Sequence, residues 1–147
     1  MAKFIKTKKN TVLVFGNFDL LHPGHKWFLR QAKKYGNKLI VVVTRDSVAK
    51  KIRGHKLAQN EKTRLRAIVA LPYVHLALLG NKIVNHNFCL VKKIKPDVLI
   101  LGHDQHWKIP QIKKKLAVAH IFPKIIRLKP YKRNLYRSSI YRTILIK

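Results

Sequence analysis

Residues 15–25 read FGNFDLLHPGH, and their setting decides the fold. The apolar run TVLVF (11–15) precedes them and GHKWFLRQAKKY (24–35) follows. Trp27, Phe28 and Ala32 in the second run fall at helical spacing until Gly36-Asn37 ends the pattern. A strand is expected to pass into a helix through a loop that holds Gly16, Asp19, His22 and His25. A glycine after a strand lets the backbone turn tightly, and Gly24 between the histidines lets a bulky anion come close. A helix starting near Pro23 or Gly24 directs its free N–H groups and positive dipole end at that anion. His22 and His25 add imidazole donors on the same side. This is a phosphate site without a P-loop, because the chain has no GxxxxGK[ST]. No third ligand at zinc spacing follows. Two histidines that merely cap a helix are the plainer alternative. The complete string GNFDLLHPGH at a strand–helix junction favours the anion site.

Outward from that loop, LIVVVT (39–44) and VLIL (98–101) are continuous apolar runs, the mark of strands buried on both faces. Residues 74–79 and 124–128 read as two further strands. Residues 45–59 are polar and basic and read as a loop able to hold a short helix. Asn60 is placed to cap a helix over 61–71 with Leu65, Ile68, Val69 and Leu71 as its apolar stripe. Further helices are expected over 83–94, 110–119 and 138–146. Strict alternation of strand and helix predicts an α/β fold: a Rossmann-like, doubly wound parallel sheet of about five strands with helices on both faces. At 147 residues the chain has the length of one domain, 1–147.

Composition narrows the function classes. The 33 Lys+Arg face only 5 Asp+Glu, a formal +28, which attracts polyanions. Basic residues are spread throughout, and no zinc-finger spacing or interleaved aromatic stripe accompanies them. Non-specific nucleic-acid binding at low salt is expected as a by-product of that charge. The single Cys89 excludes an intramolecular disulfide, and its apolar helical setting predicts a core position. No secretory signal or membrane-length apolar stretch is evident, so a cytoplasmic location is expected.

In a doubly wound sheet, ligands bind beyond the carboxyl ends of the strands. Three of the five acidic residues, Asp19, Asp46 and Asp104, fall just there. At this point Phe15–His25 resembles the G-[TS]-F-D-x-x-H-x-G-H signature of the nucleotidyltransferase superfamily. Arg45-Asp46, Lys50, Lys51, Gly54, Glu61 and Arg64 resemble the R-D-x-x-V-x-K-x-K-G…E-x-x-R segment of its cytidylyltransferase-like branch. Lys95-Pro96-Asp97 with Leu101-Gly102-His103-Asp104-Gln105, and YRSSIY (136–141), resemble its later motifs. Within the superfamily the pattern looks most like archaeal-type FAD synthases, with glycerol-3-phosphate cytidylyltransferases second. Asn17 replaces the usual Thr or Ser, Arg53 a lysine, and His75 an aspartate near the usual dimer contact.

The resemblance implies transfer of a nucleoside monophosphate from an NTP to a phosphorylated acceptor, with loss of pyrophosphate. ATP and FMN are the first choice; CTP with a phospho-alcohol is the alternative; a basic RNA-binding protein on the same fold is the non-enzyme alternative. It assigns His22, His25 and Lys50 to catalysis. Gly16, Asn17, Phe18, Asp19, Gly24, Asp104, Ser138 and Ser139 are assigned to the nucleotide. Arg45, Arg64 and Trp107 are candidate acceptor or phosphate contacts, with Arg64 alternatively bracing the loop through Glu61 and Trp107 alternatively a hydrophobic lid. Mg²⁺ is the expected ion; Asp19 either helps to hold it or fixes the signature loop, and a homodimer is expected. The bland alternatives are an N-cap for the serines or Asp104 and a solvated loop for Lys50.

Overall fold

The computed structural model describes residues 10–83, 87–105 and 107–130. Five strands, β1 (Thr11–Gly16), β2 (Lys38–Val43), β3 (Leu76–Leu79), β4 (Val98–Leu101) and β5 (Lys124–Arg127), form one sheet in the order β3-β2-β1-β4-β5. Every neighbouring pair is parallel. The helices are α1 (Pro23–Lys33), α2 (Asp46–Arg53), α3 (Glu61–Val69), α4 (Asn87–Ile94) and α5 (Ile109–Val118). The helix expected over 138–146 lies outside the described residues.

The continuous apolar runs make sense once both faces of the sheet are considered. Val12, Val14, Leu39, Val41, Val43, Val98 and Ile100 pack with Leu29 and Ala32 of α1 and Ile68 of α3. The alternate residues Leu13, Phe15, Ile40, Val42, Leu99 and Leu101 pack with Val91 of α4 and Ile112 and Leu116 of α5. Each strand therefore serves two helical layers with a period of two, and no position on its central residues is left for a polar side chain. β1, β2 and β4 occupy the middle; the outer strands β3 and β5 are only partly covered.

The short helix allowed for in the basic segment after β2 is present: Val48 and Ala49 are buried and carry α2, which Gly54 ends at φ 79° in the left-handed conformation that favours glycine. One expectation needs correction. Cys89 is exposed rather than core. It stands two residues from the buried Val91, about half a turn around α4, so Phe88, Leu90, Val91 and Ile94 supply the inward contacts instead.

β1 and β4 lie side by side, but the chain leaves β1 toward α1 on one face and β4 toward α5 on the other. The crevice between their carboxyl ends is the topological switch point of the fold. Leu29→Ala and Leu116→Ala each remove a fully buried side chain from one layer. Each is expected to cost about 2–5 kcal/mol in urea unfolding with an unchanged m-value.

Candidate active site

The opening loop reaches α1 through an unusual backbone. Phe18 and Leu20 both adopt positive φ, 51° each, a conformation costly for side chains of this size. Gly16 is needed for space: a Cβ there would sit 2.7 Å from the Phe18 ring. Phe18 is buried and meets His25 edge-on, with ring centroids 5.6 Å apart.

His22 is the N-cap of α1, and Pro23 is its first residue. Nδ1 of His22 accepts from the N–H groups of Gly24 (3.1 Å) and His25 (3.4 Å). Nδ1 of His25 accepts in return from the His22 N–H at 3.4 Å. The pair forms a capping box built from two imidazoles, whose rings stack at 3.7 Å. Capping uses one nitrogen of each ring, but it also takes up the Gly24 and His25 N–H groups; Pro23 has none and the Lys26 N–H bonds the His22 carbonyl, so the free helix amides expected to meet an anion are already occupied. A neutral imidazole that accepts at Nδ1 carries its proton at Nε2, so each ring has its N–H on the side away from the helix backbone.

Electrostatics keep the pair neutral. Burial lowers the His22 pKa. Burial, then the neighbouring His22, push His25 down to about 3, while Asp19 pulls weakly the other way. His22 has the smaller exposed surface, yet the His25 ring is the more strongly depressed of the two. Its ring lies between His22 and Phe18, which accounts for the stronger desolvation.

A buried network fixes this loop to the segment between α2 and α3. Asp19, 2% exposed, accepts from the N–H groups of Ala58 and Gln59, one on each carboxylate oxygen, both at 2.9 Å. Gln59 Oε1 accepts from the Leu20 N–H. Arg64, with no exposed surface, donates from Nη1 to the Asn17 carbonyl (2.7 Å), from Nε to the Gln59 carbonyl (3.1 Å) and from Nη2 to Asp46 (2.7 Å). Asp46 and Glu61, each the first residue of its helix, accept from one another's backbone N–H at 3.0 and 2.8 Å. Arg45 lies 3.5 Å from Glu61 and donates to the Gly80 carbonyl. The acids thus cap two helices and neutralise two arginines.

The geometry bears on two of the expected roles. All three donor nitrogens of Arg64 face protein acceptors, which favours bracing over phosphate contact, and the brace runs through Asp46 rather than the expected Glu61. Asp19 binds one amide with each oxygen, and these bonds fix the signature loop. Among the described residues no group of three or more His, Cys, Asp and Glu side chains is disposed to hold a metal ion.

The opposite lip of the crevice is the segment after β4. Gln105 spans the switch point: Oε1 accepts from the Gly102 N–H and Nε2 donates to the Phe15 carbonyl, both at 2.8 Å. Asp104 is exposed beside them. Trp107 packs edge-on against Phe15 and tilted against Phe88, with centroids 5.8 Å from each. Lys50 is exposed on α2. Ser138 and Ser139 lie outside the described residues. Nothing local in the sequence reveals that Gln105 joins the ends of two strands.

Arg64→Met removes three donors from buried carbonyls and a carboxylate. It is expected to cost about 2–4 kcal/mol in denaturant unfolding, with Arg64→Lys rescuing little of that because a point charge cannot fill a fork. The histidines set a pH response. Unfolded imidazoles protonate near 6.5, whereas folded His25 does so only at about 3. Between those values the unfolded chain binds more protons, so stability is full above pH 6.5 and falls on acidification through this window. Urea midpoints measured from pH 8 to 4 check the sign, and His25→Gln should flatten the slope.

The chain matches the Cytidylyltransferase-like family over residues 13–144. It is 41% identical over 128 residues to an FAD synthase of Methanohalophilus mahii, covering 86% of this chain and 87% of that one. It is 39% identical over 120 residues to an FAD synthase of Aciduliprofundum boonei, covering 82% and 78%. Among solved structures, a lipopolysaccharide core biosynthesis protein from Thermoplasma volcanium superposes with a TM-score of 0.78 at 36% identity, over 84% of this chain and 98% of that one. The histidine pair at the start of α1, the switch-point crevice and these likenesses agree, and the chain belongs to the cytidylyltransferase-like family of nucleotidyltransferases.

Proposed function

We propose that the chain is an FMN adenylyltransferase, making FAD and pyrophosphate from ATP and FMN. The observation that carries this reading is the stacked, neutral His22–His25 pair, whose Nδ1 atoms are taken by backbone amides. The similar archaeal FAD synthases support the choice of ATP and FMN over CTP and a phospho-alcohol.

A phosphate oxygen of FMN forms a bond to the α-phosphorus of ATP. The bond from that phosphorus to the bridging oxygen breaks, and pyrophosphate leaves with the electron pair. No covalent intermediate on the protein is required. The chain contributes positioning and charge stabilisation. The two Nε2–H groups donate to the triphosphate and to the oxygens that gain charge at the reacting phosphorus. Neutral imidazoles suit this task, because they donate without giving up a proton at pH 7. The α1 dipole has its positive end beneath them.

Lys50 is assigned to the departing pyrophosphate, and Ser138 and Ser139 to the β/γ phosphates. Asp104 is assigned to the ribose hydroxyls, which suits an exposed carboxylate with no hydrogen bond or ion pair among the described residues. Arg45, held by Glu61 and Gly80, faces the same edge and is a phosphate candidate. The packing of Trp107 favours a hydrophobic lid over flavin stacking. The divalent ion, Mg²⁺ by expectation, enters as part of the substrate, bound to ATP oxygens rather than held in a protein cage. A homodimer through the exposed β3 edge near His75 belongs to the same reading. So does salt-sensitive RNA binding, since 33 Lys+Arg are set against only 5 Asp+Glu.

Purified protein with Mg²⁺, ATP and FMN should form FAD and pyrophosphate, identified by mass. His25→Ala should lower kcat by about 10²–10³-fold, the usual effect of losing a donor to a charged transition state. A CDP-alcohol formed from CTP and glycerol 3-phosphate in place of FAD would replace the substrate assignment. RNA binding should weaken steeply between 50 and 200 mM salt while turnover persists.

A further inference from the structure

Arg127 closes β5, and among 33 basic residues nothing in its local sequence sets it apart. Its Nη1 donates to the carbonyls of Gly102 (3.0 Å) and Gln105 (2.6 Å), and its Nη2 donates to the carbonyl of Trp107. Three carbonyls of the segment after β4 thus converge on one guanidinium. The other side of that segment is tied across the switch point, where Gln105 bonds the Gly102 N–H and the Phe15 carbonyl. The segment is held from both sides, and Asp104 is the exposed carboxylate between the two ties.

The fit is close. A Cβ on Gly102 would stand 3.1 Å from Asp104 Oδ1, so the position of Asp104 depends on how this backbone is folded. With its carbonyls drawn toward β5, the segment cannot rotate to offer them to the crevice. Among the described residues Arg127 has no carboxylate partner, so its positive charge is also left beside the proposed nucleotide site. A lysine could not do the same work: the contacts use two nitrogens of a planar fork, and an ammonium is a single point.

We infer that Arg127 is a positioning residue for nucleotide recognition, fixing the Gly102–Gln105 backbone and Trp107 so that Asp104 and the adjoining amides meet the base and ribose in one arrangement. This inference rests on the reading of the carboxyl edge as an ATP site. Its signature is selective: nucleotide affinity and base choice change more than the chemical step.

The test compares wild type, Arg127→Met and Arg127→Lys. ATP and CTP binding are measured by calorimetric titration without FMN, FAD formation by steady-state kinetics, and folding by thermal melting. Arg127→Met is expected to weaken ATP binding about tenfold, narrow the ATP-to-CTP affinity ratio, and lower kcat far less than it raises KM for ATP. Arg127→Lys should recover only a minor part of the affinity. Unchanged affinities in a folded Arg127→Met protein would overturn the inference. So would losses of ATP and CTP binding in equal proportion that track the loss of folded protein. If the wild type binds ATP but makes no FAD, the FMN assignment fails on its own, and Arg127 is still judged by the affinity ratio.

Discussion

A guanidinium withdrawn from solvent joins the parts of this molecule that the chain keeps apart. Arg64 reaches Asn17, 47 positions earlier, in the loop that leads to the histidines. It reaches Asp46, 18 positions earlier, at the start of α2. It also holds the carbonyl of Gln59, whose own amide is bound by Asp19. A buried cation must find acceptors, and here the acceptors are segments that would otherwise be independent loops. The strained backbone at Phe18 and Leu20 is held against this frame. That backbone sets where α1 begins and so where the imidazoles stand.

The economy of charge follows the same logic. A chain with five acidic residues cannot afford to scatter them. Asp46 and Glu61 each cap the other's helix while neutralising an arginine, Asp19 binds two amides, and Asp97 accepts from the Thr11 N–H where β1 begins. Only two ion pairs appear among the described residues. The positive field at the carboxyl edge is therefore hardly compensated, which favours a triphosphate and raises the tendency to bind other polyanions. Asp104 is the exception, placed where a polar contact to a sugar is useful rather than where charge must be balanced.

Much of this was legible in the sequence. The β-branched runs at 39–44 and 98–101 report burial on two faces, and the glycines that follow the strands mark their ends. The histidine loop was legible as a unit because its signature is local, eleven consecutive residues that meet at one helix terminus. What stayed hidden is what depends on distance. Arg64 and Arg127 look alike in a lysine- and arginine-rich chain, and only three-dimensional pairing shows that one braces the first loop and the other the loop after β4. The tautomer of the histidines was equally invisible, since it follows from which nitrogen the backbone occupies. Cys89 was misread because its neighbours are apolar, whereas the helix phase turns it outward. Asp19 lies at a strand end in the histidine loop, but its oxygens accept from amides of a segment some 40 positions away.

The central claim is that His22 and His25 are neutral, protonated at Nε2, and donate those protons to phosphate. Side-chain ¹⁵N NMR of the histidines at pH 7, recorded with and without Mg²⁺–ATP, tests it most directly. The account predicts that His25 shows the neutral Nε2–H tautomer in the free protein, does not titrate near 6.5, and shifts at Nε2 when nucleotide is added. An Nδ1–H tautomer, an imidazolium with an ordinary pKa, or an Nε2 signal that ignores bound nucleotide would contradict it.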